Sequence, residues 1–366
     1  MHLSTYLDDF TRRDWQESEQ GTVRIALVGM GWWTREFAVP AIEASEFCEA
    51  AVAVSGSPEN TERAIEEHET IGHGITYEEF HDGAAREAYD AVYICTPNAL
   101  HLEHVEAAAE LGKDVLCEKP MEASAERAER MVEACENSVT LMIAYRMRTD
   151  PAARRARELV EDGVIGEPAF VHSHMSQRLL EIIPNPDQWR LDPDLAGPGT
   201  SVTDLGIYSI NTTRFVTGRD PVRAAAMMHA DDDAFDDVPD EHAAFQLALE
   251  GGTYATCSAS QNAELTGFLK VVGTQGQLTL EPAYFAKDRR TLTVSRGENS
   301  SEFEFGSPGF DGLDGAAGQM CEEFDYFADC LLTGREPGSD GEHGLADMRT
   351  IEAVYEAAER DDYLDI

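Results

Sequence analysis

The chain has 366 residues, with 70 Asp or Glu against 28 Lys or Arg and a formal charge of −42 at neutral pH. That length holds two domains with full cores, and acids spread along the whole chain repel nucleic acid and anionic membranes, so neither is an expected partner. Seven cysteines without clustered spacing point to free thiols, no apolar run reaches membrane-spanning length, and residues 1–20 are too polar for a signal peptide. Together these place the protein in a reducing cytoplasm.

In chain order, Leu3, Tyr6, Leu7 and Phe10 recur at helical spacing in an N-terminal extension over residues 1–20, which either packs on a neighbouring subunit or frays. A short β-branched run from Thr22 to Val28 then breaks at Gly29-Met30-Gly31 before a helical stretch that starts near Thr34. A strand, a glycine turn and a helix start let the backbone approach a pyrophosphate beside unpaired N–H groups. The third small residue of the usual fingerprint is replaced by Thr34. Trp32 and Trp33 either lie beside the cofactor or anchor the helix to the core.

Further strands are predicted over Ala50 to Val54, Asp90 to Cys95, Asp114 to Cys117 and Thr140 to Ile143, alternating with helical patterns over Ser57 to Glu69, Leu100 to Leu111 and Ser124 to Glu136. Alternation of this kind implies a parallel sheet, so residues 21–145 are expected to form an α/β Rossmann dinucleotide-binding domain. An acid at the end of the second strand would favour NAD through the ribose 2′-hydroxyl. Here Ser55 and Ser57 offer hydroxyls, and Arg63, or Arg35 from the first helix, offers charge. NADP is the expected cofactor, with NAD as the alternative.

Two later strands end in chemistry-bearing residues: Thr96-Pro97-Asn98 with His101, and Glu118-Lys119-Pro120. The chain has 4 lysines against 24 arginines. Lys119 therefore matters because an ammonium shifts its pKa readily, whereas a guanidinium stays charged. His101 and His104 share a helical face, but no third ligand cluster follows, so no metal is expected.

From about Ile165 the pattern changes. Strands are predicted over Pro168 to Gln177, Val222 to His229, Ala243 to Glu250, Thr253 to Ala259, Phe268 to Thr274, Gln277 to Leu280 and Thr291 to Ser295, with few helices before Gly318 to Leu332 and Gly344 to Glu359. Residues 146–343 thus read as an α+β domain with a large, mostly antiparallel open sheet, and residues 344–366 as a last helix returning to the first domain.

Taken together, Gly29-Met30-Gly31, Thr96-Pro97-Asn98 with His101, and Glu118-Lys119-Pro120 resemble the glucose-fructose oxidoreductase, inositol dehydrogenase and rhizopine-catabolism superfamily over nearly the whole chain. Tyr145-Arg146 before Pro151 resembles its domain junction. Gln188-Trp189-Arg190-Leu191, Asp204-Leu205-Gly206-Ile207-Tyr208 and Asn211 to Phe215 resemble its pyranose-oxidising branch. Many members carry histidine where this chain has Tyr208, a departure shared with that branch and with dihydrodiol dehydrogenases. The resemblance implies proton handling by Lys119, Asp204 and Tyr208. It also implies a cofactor set of Gly29, Met30, Gly31, Trp32, Trp33, Ser55, Ser57, Arg63, Thr96, Pro97, Asn98, His101, Glu118 and Lys119, joined by Arg146, Trp189 and Arg190.

A phenol with a pKa near ~10 is a poor base unless a cation favours phenolate. Lys119 is expected to supply that field, and Asp204, four residues before Tyr208, to orient the pair. The implied activity is NADP-linked oxidation of an aldopyranose at C1 to the aldonolactone. Among the halophilic, pentose-oxidising members D-xylose is the expected sugar, with glucose, arabinose or a dihydrodiol as alternatives. A glucose-fructose oxidoreductase and a non-catalytic NADP sensor are the rival readings. The open sheet implies a homodimer or homotetramer.

A charge of −42 with so little lysine also points to a halophile with molar salt in its cytoplasm. Like charges destabilise the compact state until screening shortens the Debye length from about 10 Å to about 3 Å. The thermal unfolding midpoint is therefore expected to rise by roughly 10 °C or more between about 0.1 M and about 2 M KCl; a flat profile in scanning fluorimetry would contradict this.

Overall fold

The computed structural model describes residues 10–285, 289–306 and 316–366, so Leu3, Tyr6 and Leu7 lie outside the described residues. The chain divides into two compact units: one from Trp15–Arg146 and Pro308–Ala346, the other from Met1–Asp14, Met147–Ser307 and Asp347–Ile366.

The first unit is built on β1 (Val23–Val28), β2 (Cys48–Val54), β3 (His73–Ile75), β4 (Ala91–Ile94), β5 (Asp114–Glu118) and β6 (Leu141–Ala144). They lie in the order β3-β2-β1-β4-β5-β6, every neighbouring pair parallel. β4 and β6 are buried at every residue, the mark of a sheet covered on both faces. The strand order reverses between β1 and β4, where open sheets of this kind hold their ligands. β3 escapes sequence reading because it is three residues long with a central glycine. Gly74 is required there, since a Cβ would lie 2.8 Å from the Cβ of Thr61.

Helix Ala316–Thr333 also belongs to this unit, with Met320, Cys321, Phe324 and Phe327 packed into the core formed by Ile25, Leu27 and Tyr93. Sequence reading assigned the return to residues 344–366. The returning segment is instead the preceding helix, whose apolar face is the one the sheet needs covered, and the chain from Asp347 onward groups with the second unit.

That second unit carries β7 (Pro168–Arg178), β8 (Pro221–His229), β9 (His242–Leu249), β10 (Tyr254–Ser260), β11 (Asn262–Gly273), β12 (Gln277–Glu281), β13 (Arg289–Arg296), β14 (Asn299–Gly306) and β15 (Leu364–Asp365). They form one open sheet in the order β14-β13-β12-β11-β7-β10-β9-β8-β15. Only β7 and β10 pair in parallel. β14 was not foreseen because its first half, Asn299 to Ser301, is polar throughout and its alternation is carried only by Phe303 and Phe305. Helix Ile207–Thr217 was also hidden: all ten residues from Ile207 to Val216 are buried, so no amphipathic period shows. Among the described residues no helix is long and apolar enough to cross a membrane.

Buried charge fixes this helix. Arg214 donates from Nη1 to Asp347 at 2.6 Å and from Nε to Asp220 at 2.7 Å, while Asn211 donates to the other oxygen of Asp347 at 2.7 Å. Asp347 is fully buried. Removing one partner of such a pair leaves a desolvated charge, so Asp347→Ala is expected to cost about 3 kcal/mol in denaturant unfolding at high salt. A loss below about 1 kcal/mol would mean that the pair contributes little net stability.

Candidate functional site

In the first unit the glycine turn is set by steric crowding. Gly29 has φ +99, and a Cβ there would stand 2.2 Å from the Cys95 carbonyl oxygen at the end of β4. Its N–H donates to the Val54 carbonyl at 3.0 Å, closing the turn over β2. The buried Thr34 hydroxyl donates to the Gly29 carbonyl at 2.6 Å. Thr34 thus replaces the third small residue of the fingerprint by tying the helix to the turn, and the helix begins with a π-helical stretch, Thr34–Ala38. Met30 is buried, Trp32 is exposed, and Trp33 lies tilted on Phe37 at 4.6 Å.

These residues fit a dinucleotide. A Cβ at Gly31 would meet nothing within 4 Å, which leaves the backbone open to a pyrophosphate. Among the described residues the buried Thr96 hydroxyl and Trp33 indole N–H find no partner. At the tip of β2, Ser55 is buried and its hydroxyl accepts from the Ser57 N–H at 3.2 Å, while Arg63 stands exposed on helix Pro58–Glu67. Tyr77, which sequence reading missed, flanks this turn: a Cβ on Gly56 would lie 3.3 Å from its ring.

Pro97 and Asn98 follow β4, with Asn98 buried. The buried His101 ring lies between two carbonyl oxygens, Nε2 at 3.0 Å from Thr96 and Nδ1 at 3.1 Å from Met121. It ties the turn after β4 to the turn after β5, and burial lowers its pKa despite those two acceptors. The Lys119–Pro120 peptide is cis. Lys119 is half-buried, and its backbone N–H donates to Glu118 Oε2 at 3.1 Å, while Glu118 Oε1 accepts from the buried Tyr93 hydroxyl at 2.8 Å. Arg146 is buried and donates to Gln319. One turn further along that helix, Glu323 is buried with Oε1 unpartnered, and burial, reinforced by Glu118 and opposed by Arg146, raises its carboxyl well above the usual range. Gln319 and Glu323 lie some 200 residues beyond Glu118 on a segment with no local motif to mark them. Among the described residues no group of three or more His, Cys, Asp or Glu is placed to hold a metal ion.

In the second unit the chain from Thr200 to Tyr208 hangs on Asp240. Its carboxylate accepts from the N–H groups of Thr200 and Val202, each at 2.7 Å, and from the Tyr355 hydroxyl at 2.6 Å. Gly199 is needed beside it, because a Cβ would lie 2.3 Å from Asp240 Oδ1. The capped segment Ser201–Gly206 is π-helical and runs into helix Ile207–Thr217. Bonds closed from i to i+5 widen the turn, so the α-helical i, i+4 relation expected for Asp204 and Tyr208 does not carry over unchanged. Asp204 Oδ2 accepts from Gln261 Nε2 at 3.0 Å and stands 3.4 Å from Arg190 Nε. Arg190 lies over the Trp189 ring at 4.5 Å. The nearly buried Tyr208 ring is tilted against Tyr284 at 5.7 Å, and the Tyr284 hydroxyl shares a 2.6 Å bond with Ser173. Asp240, Gln261 and Tyr355 were all missed in the sequence, being remote in the chain from the motif they support.

Known proteins share both units. Residues 23–145 match the oxidoreductase family with an NAD-binding Rossmann fold, and residues 153–279 match the GFO/IDH/MocA C-terminal domain. The chain is 53% identical to an NADP(+) D-xylose 1-dehydrogenase of Haloarcula marismortui over 362 residues, 98% of each chain. It is 34% identical to D-xylose 1-dehydrogenase (NADP(+)) 2 of Haloferax volcanii over 333 residues, 88% of this chain and 93% of that one. The fold also resembles aldose-aldose oxidoreductase from Caulobacter crescentus, solved with glycerol, with TM-score 0.85 and 32% identity over 94% of this chain and 100% of that one.

Asp240 gives the site a measurable pH signature. Burial raises its carboxyl from 3.8 to about 6, against the opposing pull of the Tyr355 hydroxyl and the N–H groups of Thr200 to Val202. Between those values the folded chain keeps a proton that the unfolded chain has released, so the stabilisation is full below 3.8 and is lost as pH rises through about 6. The unfolding free energy of wild type minus that of Asp240→Asn should therefore fall by about 2 kcal/mol from about pH 4 to about pH 7. A difference that stays constant with pH would remove the assignment.

Proposed function

The chain belongs to the GFO/IDH/MocA oxidoreductase family, and from that premise we propose that it is an NADP-dependent sugar 1-dehydrogenase that oxidises D-xylose at C1 to the aldonolactone. The observation that carries this reading is the 53% identity, across 98% of both chains, with an NADP(+) D-xylose 1-dehydrogenase. When bound, the nicotinamide supplies the hydride acceptor. The open backbone at Gly29 to Gly31 receives the pyrophosphate. Ser55 and Ser57, with Arg63 or Arg35, receive the 2′-phosphate, and no acid at Ser55 repels it.

The protein's own contribution to chemistry is the proton. Tyr208 takes it from the C1 hydroxyl, Lys119 favours the phenolate form and holds that hydroxyl, and Asp204 orients the group that reacts. Glu118 supports this assignment of Lys119 by accepting its backbone N–H. The protein works in a salt-rich cytoplasm as a homodimer or homotetramer. Its open sheet presents Phe170 and Tyr254, stacked at 6.4 Å, and Met227 to the outside, apolar side chains that a partner subunit would cover.

The test is NADPH formation in molar KCl from a panel of pentoses, hexoses and polyols, repeated with NAD+. Strong turnover of D-xylose with NADP+ is expected, while turnover of a hexose alone would replace the substrate and keep the mechanism. Tyr208→Phe and Lys119→Met should each lower kcat by about 10²-fold or more at an unchanged melting temperature. Either variant retaining most of kcat would remove that residue from proton handling.

A further inference from the structure

We infer that Gln261 is a positioning residue for sugar recognition: it holds the Asp204 carboxylate beside Arg190 so that the pair meets two neighbouring hydroxyls of the substrate, one as acceptor and one as donor. The inference rests on the sugar-dehydrogenase reading above.

The polarity of the contacts fixes how Gln261 is turned. A carboxylate only accepts, so the amide atom 3.0 Å from Asp204 Oδ2 must be Nε2. Oε1 then faces away and accepts from Gln177 Nε2 at 2.8 Å. The backbone of Gln261 is equally committed. Its N–H reaches the Glu241 carbonyl at 3.1 Å and the Ser201 hydroxyl at 3.0 Å, and its carbonyl accepts from the Leu179 N–H at 2.8 Å. The residue is fully buried between the end of β10 and the start of β11. Any rotation of its side chain would strand its own buried amide and leave half-buried Gln177 without its acceptor.

The two groups it organises are not sealed off. Arg190 and Asp204 keep side-chain exposures of 20% and 18%, so their polar ends remain reachable. A carboxylate acceptor 3.4 Å from a guanidinium donor matches the alternation of acceptor and donor needs of adjacent sugar hydroxyls. Gln261 acts only through Asp204, so its substitution should weaken sugar binding and slow kcat through the group that Asp204 orients, while leaving NADP+ binding unchanged.

The experiment compares wild type with Gln261→Glu, which is isosteric but cannot donate when ionised and repels Asp204, and with Gln261→Met, which has similar length and no donor. Initial rates are measured in molar KCl with D-xylose and its 2-deoxy and 3-deoxy analogues, with NADP+ varied separately. The expected result is a sugar KM raised about tenfold, kcat lowered by a smaller factor through Asp204, the NADP+ KM unchanged, and the KM effect abolished for the deoxy sugar that lacks the recognised hydroxyl. Gln177→Met should raise the sugar KM in the same direction by a smaller factor, and it carries the test if the Gln261 variants do not fold. An unchanged sugar KM, or a loss spread equally over NADP+ and every sugar, overturns the inference while leaving the dehydrogenase reading intact. Absence of sugar turnover by wild type overturns both.

Discussion

The Cys95 carbonyl stands where a side chain on residue 29 would begin, 2.2 Å from an added Cβ, and the chemical end of the dinucleotide-binding unit follows from that crowding. β1 and β4 leave the sheet side by side at the reversal of strand order, so the first turn must pass close to the second. Glycine permits the passage with φ +99. The Thr34 hydroxyl then anchors the helix to the same residue's carbonyl, and His101 links the turn after β4 to the turn that carries Lys119. Three successive strand ends are thereby coupled through short polar contacts, with no long loop needed to bring them into order.

The second unit reaches comparable rigidity by a different means, through acids taken out of solvent. Asp240 is committed to backbone N–H groups and a tyrosine, Asp347 to Arg214 and Asn211, and Asp150 to Arg290 and the N-terminus of helix Pro151–Glu161. A buried carboxylate with both oxygens engaged is a structural element, since its acceptor capacity is committed to the donors around it. Asp204 differs in keeping partial exposure beside a guanidinium. Identical side chains therefore take opposite roles according to how many donors the surrounding backbone supplies.

Much of this was legible in the sequence because it is local. Val23 to Val28 followed by Gly29 and Gly31, and the alternation of strands with helices, announce a doubly wound sheet through short-range pattern alone. The sheet of the second unit was legible for the same reason, and strands were missed only where polar at an edge, as in β14, or a few residues long, as in β15 and, in the first unit, β3. Burial on all sides erased the period of helix Ile207–Thr217. The motif residues Lys119, Asp204 and Tyr208 could be named, but their supports could not. Asp240, Gln261 and Glu323 are separated from those motifs by tens to hundreds of positions, and a buried Asp or Gln looks in sequence like any solvated one. Thr34 stands where the fingerprint has a small residue, and the structure gives it a hydrogen bond that glycine could not make.

The charge of the chain decides which of these contacts matter in use. In molar salt the Debye length is about 3 Å, so exposed pairs such as Arg86 with Glu87 are largely screened. Buried contacts such as Arg214 with Asp347 are shielded from ions and keep their strength. A surface rich in acids then serves hydration and solubility, while selective electrostatics moves into places salt does not enter. Arginine suits that division, being weakly hydrated and able to pair bidentately once buried. Lysine is the poorer choice on such a surface and the better one where a proton must be handled, because its charge responds to its surroundings. Scarcity of lysine therefore makes the one after Glu118 conspicuous, and salt has two separate effects: screening quiets the surface, while the buried networks around Asp347 and behind Asp204 depend on the folded geometry alone.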